Sequence, residues 1–578
     1  MSSPSDAGSL PRLSTRARAA YLLVVVAATA MAAASTWMSD DAFISFRYAE
    51  HFIEGRGLVF NLGERVEGMT NLAWTVWVAL GMKLGLAAET WSAAWGLAAY
   101  ATGCLLLFAW GRGEFAEGRA TPATAGFALL IGAAHPDWQV YATSGLETSA
   151  FTTTVLGMHL AIARGFSGRR APRGGLAGGL AAVAALLRPD GLSFALGGAV
   201  VLAAAGTLAL SERRRALLRF VLVFVVIWGS ATFARVSYYG DFFPNTYYAK
   251  SADLAWWSQG FLFVGLYAQR YWMLLVFVVL TPALYLRRAP TLRDPSTAHA
   301  VSAACYCIGY GLYVARIGGG FMFARFLIPI TPFLAICVAM GLQRIPRPVL
   351  RHVALAVLIA GMWLTPSPVA TRWKHGVADE RAFWTQPGRA EALDAEGDVL
   401  GALVADQGLV LAHTGGRARV IHRSKVPYSI DAEGGLTDPE VARLPLAQRG
   451  RPGHEKRASL EHLQSRGVLF VVGHNADALF GISRALPTSP IVSGPLTLWP
   501  LRWDPEVMAT LRSRGAQFED FDAALDRTVA RLPELPREVV EQLYPGLRAY
   551  YFDHVDDPRE AAFKAKLRTP GPSEGSAP

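Results

Sequence analysis

Two adjacent carboxylates, Asp40 and Asp41, stand in the stretch MSDDAFISFRYAEHFI (38–53), just past the first strongly apolar run of the chain. Carboxylates near membrane depth are expensive and seldom idle, and such a pair suits a general base together with a metal or sugar ligand. A solvated loop that merely ends a helix is the plain alternative, and the pair alone does not decide. Further polar residues recur in short stretches between apolar runs. GERVEGMTN (63–71) carries Glu67, and SGLETSAF (144–151) places Glu147 at a helix mouth, where it suits either a cap or a ligand. LLRPDGL (186–192) sets Arg188 beside Asp190 in a tight turn, either to grip a phosphate bidentately or to pair with Asp190. YYGDFFPNTYYAK (238–250) mixes six aromatic rings with Asp241, Asn245 and Lys250, and Tyr247 and Tyr248 offer faces to a sugar ring or to the interfacial belt. RIGGGFMFARF (316–326) holds Arg325 after three glycines that admit close backbone approach. Together these stretches suit an anionic, lipid-linked sugar, with phosphate held by Arg188, Lys250 or Arg325 and an acceptor hydroxyl activated by Asp40 or Asp41.

The elements that must position these groups are membrane helices. The 578 residues are 52% hydrophobic and only 17% charged, below the roughly 25% charge of soluble domains. Apolar runs long enough to cross a bilayer recur at roughly 19–37, 72–88, 91–111, 120–135, 148–164, 174–187, 191–210, 217–236, 261–286, 298–315, 326–342 and 350–365. Arginines cluster in the loops 164–173, 211–219, 287–293 and 344–351, which marks those loops and the basic segment 1–18 as cytoplasmic. The segments 38–71, 136–147, 188–190, 237–259 and 316–325 then share the outer side with everything after about 366. Twelve spans cannot join an inner N-terminus to an outer C-terminus, so 11 or 13 are expected, with the miscount in 72–111 or 259–286. Residues 19–37 read as a retained signal anchor, since no small-residue cleavage site follows.

Within the first outer loop (38–71), Phe43, Phe46, Ala49 and Ile53 recur at helical spacing while Asp41, Arg47, Tyr48 and His51 fall off that stripe. The pattern predicts an amphipathic interfacial helix, stopped by Gly55 and Gly57. Beyond the membrane domain (19–365), Pro366 and Pro368 break the last helix, and 366–568 alternates polar and apolar residues like a small α/β domain. LVLAH (409–413), ARVIH (418–422) and GVLFVVGH (467–474) read as its short strands. The run 569–578 has the composition of a disordered tail. The net charge of +10 follows the cytoplasmic loops rather than a stripe, so nucleic acid is excluded as a partner. Cys104, Cys305, Cys307 and Cys337 all lie in apolar runs and form neither a disulfide framework nor a zinc site.

The order DDAFISFRYAEHFIEGRGLVFNLGERVEGMTNLAW, SGLETSAF, LLRPDGL, YYGDFFPNTYYAK, GGGFMFARFLIP resembles bacterial GT-C glycosyltransferases, and in particular the mycobacterial terminal arabinofuranosyltransferases. YSIDAEGGLTDPEVARLPLAQRGRPGHEK (428–456) is similar to the periplasmic domain of that group, so the resemblance covers most of 38–475. It implies a polytopic α-helical membrane protein with a C-terminal soluble α/β domain. The implied reaction transfers a sugar, arabinofuranose in that group, from a polyprenyl-phosphate donor to a cell-envelope glycan at the outer face of the bacterial inner membrane. The resemblance gives Asp40 and Asp41 the place of the catalytic base. It also matches Glu147, Arg188, Asp241, Pro244, Asn245, Tyr247, Tyr248 and Lys250 to family positions. Arg47, Glu67 and His454 are added as substrate contacts, although His454 suits a structural role at least as well. A divalent cation, Mg or Ca, stays open, with no dedicated cage visible. Relatives often read GGD where this chain has Gly320, so an altered substrate or an inactive envelope-assembly protein stays open beside a lipid-linked glycan flippase.

Overall fold

The computed structural model describes residues 13–568, apart from 169, 207, 371–373 and 487. Most of the basic N-terminal segment and the tail 569–578 therefore lie outside the described residues. The chain divides into two compact units. The first comprises residues 1–58, 69–386 and 449–453, and the second 59–68, 387–448 and 454–578. The division near 386 falls about twenty residues beyond the break that Pro366 and Pro368 suggest, and residues 59–68 of the first outer loop go with the C-terminal unit.

The first unit is helical. Among the described residues, six of its helical segments are long and apolar enough to cross a membrane: α1 (Thr15–Ala33), α4 (Ala88–Ala116), α10 (Leu210–Tyr239), α12 (Trp257–Arg288), α13 (Pro295–Arg316) and the run Arg325–Leu342. That last run is a 3-10 turn (Arg325–Ile330) leading into α14 (Thr331–Leu342). Five shorter apolar helices accompany them: α3 (Leu72–Lys83), α7 (Thr148–Ala163), α8 (Gly174–Leu187), α9 (Gly191–Ala204) and α15 (Pro348–Leu364). The expected span at 120–135 does not form. Only α5 (Phe127–Ala133) is helical there, about 10 Å at 1.5 Å per residue, before Pro136 opens the short helix α6 (Pro136–Tyr141). The run at 72–88, inside one of the two regions suspected from sequence, is short as well, with only twelve residues in α3.

Small residues let these helices touch. In α8, a Cβ on Gly174 would stand 2.1 Å from the Ala216 carbonyl of α10, and one on Gly178 would stand 2.2 Å from that of Phe220. The Gly-x-x-x-Gly spacing thus brings two backbones into contact, a membrane packing mode that needs no hydrophobic driving force. The outer-loop helix α2 (Asp40–Ile53) differs from its sequence reading: Arg47, Tyr48 and His51 are buried along with Phe43, Phe46 and Ala49, whereas Ile53 is exposed. It packs on α3 and is enclosed by protein on more than one face, so a single apolar stripe does not describe it.

Among its described residues the second unit holds five short strands: β1 (Val410–His413), β2 (Tyr428–Asp431), β3 (Phe470–Val472), β4 (Ile491–Ser493) and β5 (Leu496–Pro500). Their order is β2-β1-β3-β5-β4, with β1 parallel to β2 and β3, and β5 antiparallel to β3 and β4. LVLAH and GVLFVVGH supply β1 and β3 as expected, but ARVIH is a helix, Ala418–Ser424. Its buried residues Ala418, Val420, Ile421 and Ser424 share one helical face, and it lies along a helix at Arg389–Val404. Arg419 grips Asp394 at 2.6–2.8 Å and Arg423 grips Asp398 at 2.7–3.1 Å, two bidentate pairs at matching spacing of four. Residues 59–68 join this unit through specific bonds. Asn61 Oδ1 accepts from the Ser429 N–H of β2 at 2.9 Å, Leu62 N–H donates to Pro427, and Glu64 accepts from Arg466 at 2.6 Å.

Candidate functional site

A buried carboxylate, Glu147, organises the polar residues of the first unit. It sits at the N-cap of α7, only 2% exposed, and three donors converge on it. Arg188 and Arg325 each donate to Oε1 at 3.1 Å, and Asn71 donates to Oε2 at 3.1 Å. Asn71 is fixed in turn, its Oδ1 accepting from Ser45 of α2 and Thr75 of α3, each at 3.1 Å. One amide thereby ties the helix that carries Asp40 and Asp41 to the buried carboxylate. Burial pushes the Glu147 carboxyl up, but the charges of Arg325 and Arg188 outweigh it and hold its pKa below the ordinary value.

Arg188 follows α8 in an extended conformation and spends its donors inside the protein. NH1 goes to Glu147, while Nε and NH2 go to Asp190 at 3.0 Å, and the rings of Phe326 and Phe151 lie 4.7 and 5.4 Å from its guanidinium carbon. Tyr310 also donates to Asp190. Burial opposes the charge on Arg188, yet Asp190, Tyr310 and Glu147 overcome it and raise its pKa. The LLRPDGL turn is therefore a paired and stacked ion cluster.

The accessible part of the cluster comprises Asp41, Arg325 and Lys250. Asp40 is buried, whereas Asp41 exposes 38% of its side chain and lies 3.7 Å from Arg325. Both carboxylates occupy the first turn of α2, where the helix dipole favours negative charge. Lys250 follows the short helix Asn245–Ala249 and is exposed. Desolvation by the surrounding protein pulls its ammonium pKa down, and Arg325 and Arg188 lower it further, while Asp41 and Glu147 push it back up.

The remaining sequence candidates divide. Asp241 accepts from Tyr248 at 3.2 Å, Tyr247 stacks on Phe243 at 4.2 Å between centroids, and Asn245 is buried, so these residues shape the loop that delivers Lys250. Arg47 is buried in α2, where the charges acting on it belong to Glu50, Tyr48 and Arg56 rather than to the Glu147 cluster. Glu67 and His454 belong to the second unit. Gly320 is closely packed: a Cβ there would stand 2.3 Å from the Phe326 ring, the ring that covers Arg188. Among the described residues, no group of three or more His, Cys, Asp and Glu side chains is placed to hold a metal ion.

One neighbour of the cluster escaped the sequence reading. Glu380, buried in the first turn of a short helix (Glu380–Trp384), accepts from Trp384 Nε1 at 2.6 Å and pairs with Arg451 at 3.5 Å. Burial and the negative charge of Asp41 push its carboxyl up to about 7. Its segment is anchored to the 321–325 loop by the bonds Phe323 N–H to Ala378 and Ala378 N–H to Phe321.

No protein-family model matches the chain. The chain is 30% identical over 411 residues to a terminal β-(1→2)-arabinofuranosyltransferase of Mycobacterium tuberculosis, an alignment covering 62% of this chain and 64% of that protein. It is 26% identical over 389 residues to a protein of the same name from Corynebacterium glutamicum, covering 60% and 55%. The chain thus spans less than two thirds of the length of these curated relatives. In fold it is similar to the crystal structure of ArnT from Cupriavidus metallidurans bound to undecaprenyl phosphate, with a TM-score of 0.57 at 14% identity, over 84% of this chain and 98% of that one. The chain is thus largely helical, with apolar helices long enough to cross a membrane and a small sheet in its C-terminal region, and it shares its fold with that membrane-lipid-bound structure.

Proposed function

We propose that this chain is a membrane glycosyltransferase that moves a sugar, arabinofuranose by analogy with its relatives, from a polyprenyl-phosphate donor to a glycan acceptor at the outer face of the plasma membrane. The observation that carries this reading is the accessible carboxylate Asp41 beside two cations, Arg325 and Lys250, on a scaffold fixed by the buried Glu147. Further support comes from the names of the two relatives and from the undecaprenyl phosphate bound to ArnT.

Asp41 takes the proton of an acceptor hydroxyl as that oxygen attacks the anomeric carbon. The bond from the anomeric carbon to the phosphate oxygen breaks, and its electron pair leaves with the polyprenyl phosphate. Arg325 and Lys250 stabilise the charge that gathers on that leaving group. Arg188, whose donors Glu147 and Asp190 already hold, positions Glu147 and through it Arg325. Asp40, being buried, supports the first turn of α2 rather than meeting substrate.

Membranes containing the protein, given radiolabelled decaprenyl-phosphate arabinose, are expected to label a glycan. Asp41→Asn is expected to lower transfer by about 10²–10⁴-fold, the contribution of a general base. An inert wild type, or undiminished transfer by both Asp41→Asn and Asp40→Asn, overturns the reading. Movement of the labelled lipid across liposome bilayers without glycan labelling would assign transport instead.

A further inference from the structure

We infer that a polar cavity of about 210 Å³ is a subsite for an uncharged sugar ring of the acceptor, an inference that rests on the transferase reading. The cavity is lined by Asp137, Arg270, Trp363, Ser367, Asp379 and Arg381 together with the backbone around Phe323. It is smaller than the roughly 300–1,000 Å³ of drug-sized sites, which suits one or two rings rather than a long glycan.

Its construction is that of a site. α6 brings Asp137 to the cavity, buried, where Arg270 donates to both of its oxygens at 3.2 and 3.3 Å and Tyr271 donates at 2.5 Å. His135 stacks on the Tyr271 ring at 4.4 Å between centroids. α12 leaves helical geometry at Tyr271, with φ −114° and ψ 15°, so a membrane helix breaks where it contributes this charge. Three buried polar atoms on the lining have no partner among the described residues: Arg270 Nε, Arg381 Nε and Ser367 Oγ. Buried donors without partners are rare and call for a ligand or water.

The charges choose the ligand class. Two carboxylates, Asp137 and Asp379, face two guanidinium groups, Arg270 and Arg381, so the lining is formally neutral. A phosphate would gain from the arginines what it loses to the aspartates. A hydroxyl both donates and accepts, so a polyol satisfies both kinds of group, and Trp363 adds an aromatic wall. The cavity also adjoins the candidate site. Tyr141 donates to the Phe323 carbonyl at 2.9 Å, two residues before Arg325, and Asp379 and Arg381 flank Glu380.

The test uses the full chain in detergent, a synthetic octyl arabinofuranosyl trisaccharide as probe, and calorimetric titration without turnover. Arg381→Ala and Asp379→Asn are expected to weaken trisaccharide binding at least tenfold, with the affinity for decaprenyl phosphate unchanged within twofold. Where transfer is measurable, the acceptor KM should rise while the donor KM stays fixed. No trisaccharide binding by the wild type, unchanged binding by both variants, or a loss confined to the lipid phosphate each overturns the subsite. Trisaccharide binding of this pattern in a wild type that transfers no sugar would overturn the transferase reading and uphold the subsite.

Discussion

Glu147 accepts from three side chains in a space closed to water, so its charge is matched rather than solvated. Glu147→Gln leaves Arg188 and Arg325 short of one negative charge at 3.1 Å. Removing one partner of a buried pair costs about 3–5 kcal/mol, so thermal unfolding in detergent should begin markedly lower than for the wild type. Gly320 is the second informative residue. Gly320→Asp would drive a side chain into Phe326 and push that ring off Arg188, an overpacking cost of about 1–3 kcal/mol. Adding Phe326→Leu should recover part of that stability, as read by the same melt. Asp41, Glu147, Arg188 and Lys250 were legible in the sequence because polar residues between apolar runs stand out against their background. For Arg188 the sequence left a phosphate grip and a pairing with Asp190 open, and the geometry shows the pairing. Glu380 was missed because a carboxylate in a polar stretch carries no signal. Arg270 was missed because one arginine inside the long apolar run of α12 reads as incidental.

Among the elements, the short helix Glu380–Trp384 has a consequence for pH. Its Glu380 carboxyl titrates at about 7 in the folded protein, above the ordinary carboxylate value, so the folded state holds the extra proton over that interval. Stability contributed by the protonated form is therefore present at low pH and lost as pH rises from the ordinary carboxylate range to about 7. Melting temperature should fall across that window, and Glu380→Gln should flatten the slope; an equal slope in both proteins would refute the assignment. Element identity was read well where one period dominated and poorly where two competed. The strand ending in His413 was clear, whereas ARVIH, five residues long, fits alternation as well as a helical face, and its contact with a distant helix decided the outcome. The helix α2 was found in place, but its packing was not, because burial of Arg47 and His51 depends on what surrounds the helix.

For the whole molecule, the charge deficit and the apolar runs made a helical membrane protein legible at once, while the number of crossings was not, since α3 and α5 are apolar without spanning length. The orientation proposed from the arginine loops has a direct check. In a cysteine-free background, Glu54→Cys should react with a membrane-impermeant maleimide on intact cells, and Arg288→Cys only after permeabilisation. The reverse pattern would place the Asp41 cluster on the cytoplasmic side and remove the outer-face reading.

The bond from Ser429 to Asn61 joins positions 368 residues apart. At about 5–20 residues per second of synthesis, the segment 59–68 leaves the ribosome roughly 20–70 s before the strand it binds exists. The second unit therefore cannot finish folding in the order in which it is made. Its first piece must be held, unsatisfied, through the synthesis of nearly every membrane helix, and a ribosome that stalls before Ser429 leaves that piece waiting for a partner that never arrives.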